Sequence, residues 1–160
     1  MPGKWIVFFI VIPLLGAFLA FIEKIWPRRK IAKPAVILVF LFSFILLFLA
    51  CSDIFHGNKY EVFIGGWTEV VGIALRLDGL SWAGLFTMYI VCFFIILTAF
   101  SDRNYDAAFY FFFLILLAGM AGVLLAHDLF NLFVCLEIVG ISAYILISYS
   151  RKDKAILASF

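Results

Sequence analysis

Apolar runs about twenty residues long alternate with short polar stretches along the whole chain. The first run is Trp5 to Ile22, between Lys4 and Glu23. The second follows Pro34 and ends near Ser52. The others cover about 79–100, 107–126 and 129–149. A hydrocarbon core about 30 Å thick needs about 20 apolar residues per helix, so the pattern predicts five transmembrane helices, at about 5–22, 34–52, 79–100, 107–126 and 129–149. The first run exceeds the apolar core of about 7–15 residues of a signal peptide, and no small-x-small site precedes Glu23, so it reads as a span. Pro13 inside it is tolerable where a neighbour takes up the freed carbonyl. Pro34 suits a first helical position, and Asp78 and Asp128 suit N-caps.

Between the second and third spans the pattern changes. His56-Gly-Asn58 is turn chemistry. Tyr60-Glu-Val-Phe-Ile64 and Val70-Val-Gly-Ile-Ala-Leu-Arg-Leu77 are β-prone and flank Gly65-Gly66-Trp67-Thr68-Glu69. That predicts a β-hairpin over about 60–77, lying at the membrane surface because open sheet edges are not viable in lipid. The expectation is an all-α integral membrane protein, one membrane domain over 1–160, with five helices and a small hairpin between helices two and three.

Composition removes the alternatives. Of the 160 residues, 67% are hydrophobic and 14% charged, and the mean hydropathy is +1.20. Soluble domains sit near 45–50% and 25%. A soluble enzyme, a nucleic-acid binder and a disordered tail are excluded. The net charge of +2 is uninformative, but its placement is not. With the N-terminus outside, Lys24, Arg28, Arg29, Lys30, Lys33, Arg103, Arg151, Lys152 and Lys154 fall inside, and only Lys4, Lys59 and Arg76 fall outside. The positive-inside rule favours that orientation, with the hairpin external and the C-terminus cytoplasmic. Arg28-Arg29-Lys30 reads as a topology determinant before a lipid headgroup site. The tryptophans near span ends suit an aromatic belt. Cys51, Cys92 and Cys135 have neither disulfide nor metal spacing and read as packing residues.

One residue stands out chemically. Glu137 lies about nine residues into the fifth span, roughly 12–13 Å deep at 1.5 Å per residue. It is the one ionisable side chain at that depth in the five runs. A charge there costs at least about 2.5–3.5 kcal/mol. Burial favours the neutral form of a carboxyl and a nearby cation the charged form, so a group held between the two can exchange a proton. Gly140, Tyr144 and Ser148 follow at i+3, i+7 and i+11, and so share its side of the helix; Phe130 and Phe133 continue the stripe outward. The bland alternative is a polar contact that glues helices together. His127, Asp128 and Asn131 cluster at the start of the same helix. Histidine as a residue type exchanges protons near neutrality, so His127 is a weaker proton-path candidate with Asp128, Tyr144 and Ser148; a capped helix end is the simpler reading. Ala118, Gly119, Ala121 and Gly122 in the fourth span, and Gly140 in the fifth, are spaced for close helix packing. Arg76 and Asp78 read as an interfacial anchor and a cap. No phosphate loop, dinucleotide fingerprint, zinc pattern or nucleophile elbow is present. No cofactor or metal is therefore expected, and no catalytic redox site lies in this sequence.

Phe63-Ile-Gly-Gly-Trp67, Asp78-Gly-Leu-Ser81, Asp128-Leu-Phe-Asn-Leu-Phe-Val134, Glu137 and Ser142-Ala-Tyr144 together resemble the antiporter-like membrane subunits. That family is shared by Mrp-type multisubunit sodium/proton antiporters, respiratory complex I and membrane-bound hydrogenase-type complexes. The resemblance is closest to the D-type subunits of Mrp antiporters and the N- and M-type subunits of complex I. It implies about fourteen helices, an external N-terminus and an external hairpin after helix two. It also implies that Glu137 pairs with a buried lysine on a broken seventh helix. The sequence stops at Phe160, where the family's sixth helix is due, and Cys135-Leu136 replaces an aromatic pair usual before the glutamate. The expectation is therefore the first five helices of such a subunit: a split subunit, a truncated paralogue or a fragment.

Two functions of different class follow. The first is an ion-translocating subunit, moving protons or sodium, of a multisubunit cell-membrane complex whose other membrane subunits supply the missing helices and the lysine. The second is a structural or assembly subunit without its own ion pathway. The lipid bilayer is a partner in both, and nucleic acid in neither.

Overall fold

The computed structural model describes residues 3–26, 30–64, 73–101 and 105–149. Among these residues the fold is made of five long helices and one antiparallel strand pair. A 3-10 turn, Lys4–Val7, leads into α1 (Phe8–Ile25); α2 is Ala32–Phe55. Strands β1 (Tyr60–Ile64) and β2 (Ile73–Leu77) follow, then α3 (Gly79–Ser101), α4 (Ala107–Leu125) and α5 (Leu129–Ser148). All five helices are long and apolar enough to cross a membrane. The central turn of the expected hairpin, Gly65 to Glu69, lies outside the described residues, as do Val70–Gly72, Arg28, Arg29, Arg103 and everything from Ser150 onward.

Helix α4 is the centre of the bundle. It is apolar on all sides, which suits a helix enclosed by others. It packs most heavily on α1 and then on α5, and touches α2 and α3. Its buried residues include Phe109, Tyr110, Phe113, Leu114, Leu117, Gly119, Gly122 and Leu125. Helix α2 closes the bundle between α1 and α3. Gly16 makes the α1–α2 crossing possible, since a Cβ there would stand 2.4 Å from Val39 Cγ2.

Pro13 removes the N–H that would bond the Phe9 carbonyl. Tyr89 of α3 replaces it: its hydroxyl donates to the Phe9 carbonyl at 3.3 Å, and both residues are fully buried. This is the neighbouring donor that a proline inside a span requires.

Two polar ends frame the bundle. At one end Glu23 reaches forward, and its Oε2 accepts from the N–H groups of Ile31 and Ala32, each at 2.6 Å. Helix α2 therefore starts at Ala32, two residues before Pro34, which sits in the first turn where its missing N–H costs nothing. Lys33 donates to the Phe100 carbonyl at the end of α3, a cation on a helix C-terminus. Asp106 caps α4, accepting from Ala108 and Phe109 N–H, pairs with Lys24 at 3.3 Å, and accepts from the Tyr149 hydroxyl. Burial pushes the Asp106 carboxyl up, but the Tyr149 hydroxyl, the backbone donors and Lys24 outweigh it and hold it below its usual value.

At the other end α2 runs on to Phe55 and stops at Gly57. Gly57 has φ +81°, and Gly57 N–H and Asn58 N–H return to the Ile54 and Asp53 carbonyls. That is the left-handed glycine stop. The two strands pair from Tyr60↔Leu77 to Ile64↔Ile73. Tyr60 donates to Asp53 and packs its ring edge-on to Trp5, joining the hairpin to α2 and to the chain start. Arg76 lies between Glu61 (3.6 Å) and Asp78 (3.4 Å). Asp78 Oδ1 caps α3 through Ser81 N–H at 3.0 Å. That backbone donor, with Arg76 assisting, holds the Asp78 carboxyl below its usual range against the effect of burial.

Candidate functional site

Helix α5 carries the candidate residues, and among the described residues α4 is the one helix it packs against. Its buried contacts are Cys135 and Ser142. The small residues of α4 set the approach. A Cβ on Gly122 would fall 2.5 Å from Cys135 Sγ, and one on Gly119 would fall 3.0 Å from Val139 Cγ2 and 3.3 Å from its backbone nitrogen. Ala118 is buried beside them.

Glu137 is exposed on the side of α5 turned away from α4. It makes no hydrogen bond or ion pair among the described residues. Its helical neighbours share that openness. A Cβ added to Gly140 would meet nothing within 4 Å, so among the described residues this glycine packs no helix. Tyr144 is 59% exposed, as are Phe130 and Phe133 to similar degrees. Ser148 is half-buried, and its hydroxyl returns to the Ile145 carbonyl at 2.9 Å. Glu137, Gly140 and Tyr144 thus form one open stripe, while Ser148 is occupied by its own helix. Beside the stripe an apolar groove of about 570 Å³ separates α3 from α5; Gly84, Thr87, Met88, Met120, Leu136 and Val139 line it.

Asp128 and His127 sit elsewhere. Asp128 Oδ1 accepts from Asn131 N–H at 2.7 Å, which is the expected cap. Its other oxygen accepts from the Ala74 N–H of β2 at 2.9 Å, a contact that local sequence does not announce. His127 N–H donates to the Ala74 carbonyl at 2.9 Å, and its side chain is exposed. Neither residue reaches toward the Glu137 stripe. Sequence reasoning also missed the Tyr89–Phe9 bond and the Glu23 cap, because each joins residues that no short pattern links.

Among the described residues the geometry is that of a multi-span helical protein with the Glu137 carboxylate displayed midway along α5 on an outer helix face. The comparisons with known proteins agree. The chain is 34% identical over 143 residues to the D subunit of the Na(+)/H(+) antiporter of Alkalihalophilus pseudofirmus, covering 86% of this chain and 28% of that protein. It is 32% identical over 111 residues to the N subunit of the NADH-quinone oxidoreductase of Desulforudis audaxviator, covering 64% of this chain and 22% of the relative. A chain of the membrane-bound sulfane sulfur reductase, an archaeal respiratory membrane complex, superposes with a TM-score of 0.88 at 28% identity over 98% of this chain and 33% of its own length. No family model matches. Over most of its length the chain resembles the antiporter-like family of membrane subunits, and it is a multi-pass protein of the cell membrane. It spans about a third or less of the length of these relatives.

Proposed function

We propose that the chain is an ion-translocating part of an antiporter-like subunit, moving protons or sodium within a multisubunit membrane complex. The observation that carries this is Glu137: a carboxylate at mid-span, on an open helix face, with no partner among the described residues. A charge facing hydrocarbon costs at least about 2.5–3.5 kcal/mol. In the working assembly that face is covered by protein or by water. Gly140 beside it leaves room for close approach of another helix. The greater length of the relatives supports further helices as the cover, and a buried lysine is the cation that would complete the site. A lysine close to Glu137 favours the carboxylate and its withdrawal favours the protonated acid, so moving that cation loads and unloads a proton. The distribution of basic residues favours a hairpin that faces outward and an end holding Lys24 and Lys33 that faces the cytoplasm. Such a subunit serves equally in an Mrp-type antiporter or in a redox-driven pump; in the latter the redox centres reside in other subunits.

The test is Glu137→Gln in the complete assembly, with proton and sodium flux followed in sealed membrane vesicles. Flux should be lost while the assembly still forms. Wild-type flux would remove Glu137 from the pathway and leave the chain a structural role.

A further inference from the structure

Helix capping needs one carboxylate oxygen. Asp128 uses both, and on different elements. Oδ1 takes Asn131 N–H at 2.7 Å, and Oδ2 takes Ala74 N–H at 2.9 Å, 54 residues away in sequence. His127 N–H returns to the Ala74 carbonyl at 2.9 Å, and Ala126 bridges to Leu75. The edge of β2 that faces away from β1 is thus closed by the three residues entering α5, with both backbone groups of Ala74 occupied. Strand β2 is itself fixed. It is paired with β1, pinned by Arg76 to Glu61 and Asp78, and continuous with α3.

The rest of α5 is held differently. At its far end the Tyr149 hydroxyl donates to the Asp106 cap of α4, and along the middle its contact with α4 is apolar side chains laid on the glycines Gly119 and Gly122. A surface of that kind sets how near two helices come, and it resists sliding along their axes weakly, because no side chain of α4 projects at those positions to block it. The one strong axial reference at the start of α5 is therefore the fork of Asp128.

We propose that Asp128 is a positioning residue: by holding β2 and α5 together it fixes the axial register of α5, and with it the depth of Glu137. The functional weight of this rests on the reading of Glu137 as the translocating carboxylate; the register effect itself does not. A slide of one residue moves Glu137 by about 1.5 Å and a slide of one turn by about 5.4 Å.

The experiment separates the two. Ile147, on α5 and 47% exposed, carries a cysteine-linked spin label after Cys51, Cys92 and Cys135 have been replaced by alanine. Label depth is read from relaxation by oxygen and by a water-soluble nickel chelate, in the intact assembly in lipid nanodiscs. Asp128→Ser keeps an oxygen for Asn131 and drops the one for Ala74; Asp128→Ala drops both. The Ser variant should displace the label by about 1.5 Å or more and lower ion flux with it. Should it not accumulate, Asp128→Asn, isosteric and left with one acceptor, gives the same reading. A label at wild-type depth in the Ser or Asn variant overturns the proposal, even where the Ala variant moves, because capping alone would then explain Asp128. A displaced label with normal flux in Glu137→Gln upholds positioning and removes the translocation reading. Lost flux in Glu137→Gln with an unmoved label does the reverse.

Discussion

Replacing Tyr89 by Phe removes the hydroxyl that serves the Phe9 carbonyl inside the bundle. Pro13 leaves the Phe9 carbonyl without its helical donor, and the Tyr89 hydroxyl supplies one at 3.3 Å. The ring stays in place after the change. It packs among Phe9, Phe40 and Phe44 at centroid distances of 6.0–6.3 Å, and Tyr89 is fully buried. An orphaned buried acceptor costs about 1–3 kcal/mol, yet bonds between membrane helices average about 0.6 kcal/mol. At 3.3 Å the bond is longer than the usual O–H···O distance of about 2.7–2.8 Å, which places the loss near the lower figure, about 1 kcal/mol. The control is Pro13→Ala, which returns a backbone N–H to the Phe9 carbonyl. In that background Tyr89→Phe should cost less, leaving a coupling of about 0.5–1 kcal/mol between the two sites. Reversible denaturant unfolding in lipid–detergent micelles measures the wild type, both single variants and the double variant. An equal cost of Tyr89→Phe in both backgrounds would refute the account of the proline.

Two further outcomes follow from the geometry. Gly122→Ala puts a methyl 2.5 Å from Cys135 Sγ and should cost about 1–3 kcal/mol as an overpacked contact. Adding Cys135→Ala should restore most of the unfolding midpoint, and failure of that rescue would mean that the glycine serves something other than clearance for the sulfur. Asp106 is held below its ordinary value when folded, so its contribution is fully present above the ordinary carboxylate pKa of about 3.9 and is lost as pH falls through the lower folded value. The thermal midpoint should hold steady down to about pH 4 and drop below it, with a smaller drop in Asp106→Asn; an identical acid profile in that variant would contradict the assignment.

The helices were legible because a lipid core leaves few ways to place twenty apolar residues, and the strand pair because two β-prone runs flanked a glycine-rich stretch of sequence. The Asp128 cap and the tight approach at Gly119 and Gly122 were legible for the same reason: each is written within one turn of helix. Contacts made by reach were not. Glu23 extends to the start of the next helix and moves that start ahead of Pro34. Tyr89 finds a carbonyl 80 residues away, and the second oxygen of Asp128 finds a strand 54 residues away. No periodicity encodes such pairs, since they depend on which helix ends the bundle brings together. Sequence spacing did place Gly140 and Tyr144 on the side of Glu137, yet it could not tell that this side faces away from α4.

The central place of α4 has a consequence for how the chain is made. Helices leave the ribosome in order, and α1 finds its largest partner in the fourth to emerge. Until then its Gly16 face can meet α2, while its Phe9 carbonyl waits for the third helix to arrive with Tyr89. Of the five helices α1 thus waits longest for its partners, and it must be sheltered by lipid or by the insertion machinery while some eighty residues are translated before Tyr89 arrives. A defect in α4 would therefore surface as degradation of a chain whose first helix never found its seat.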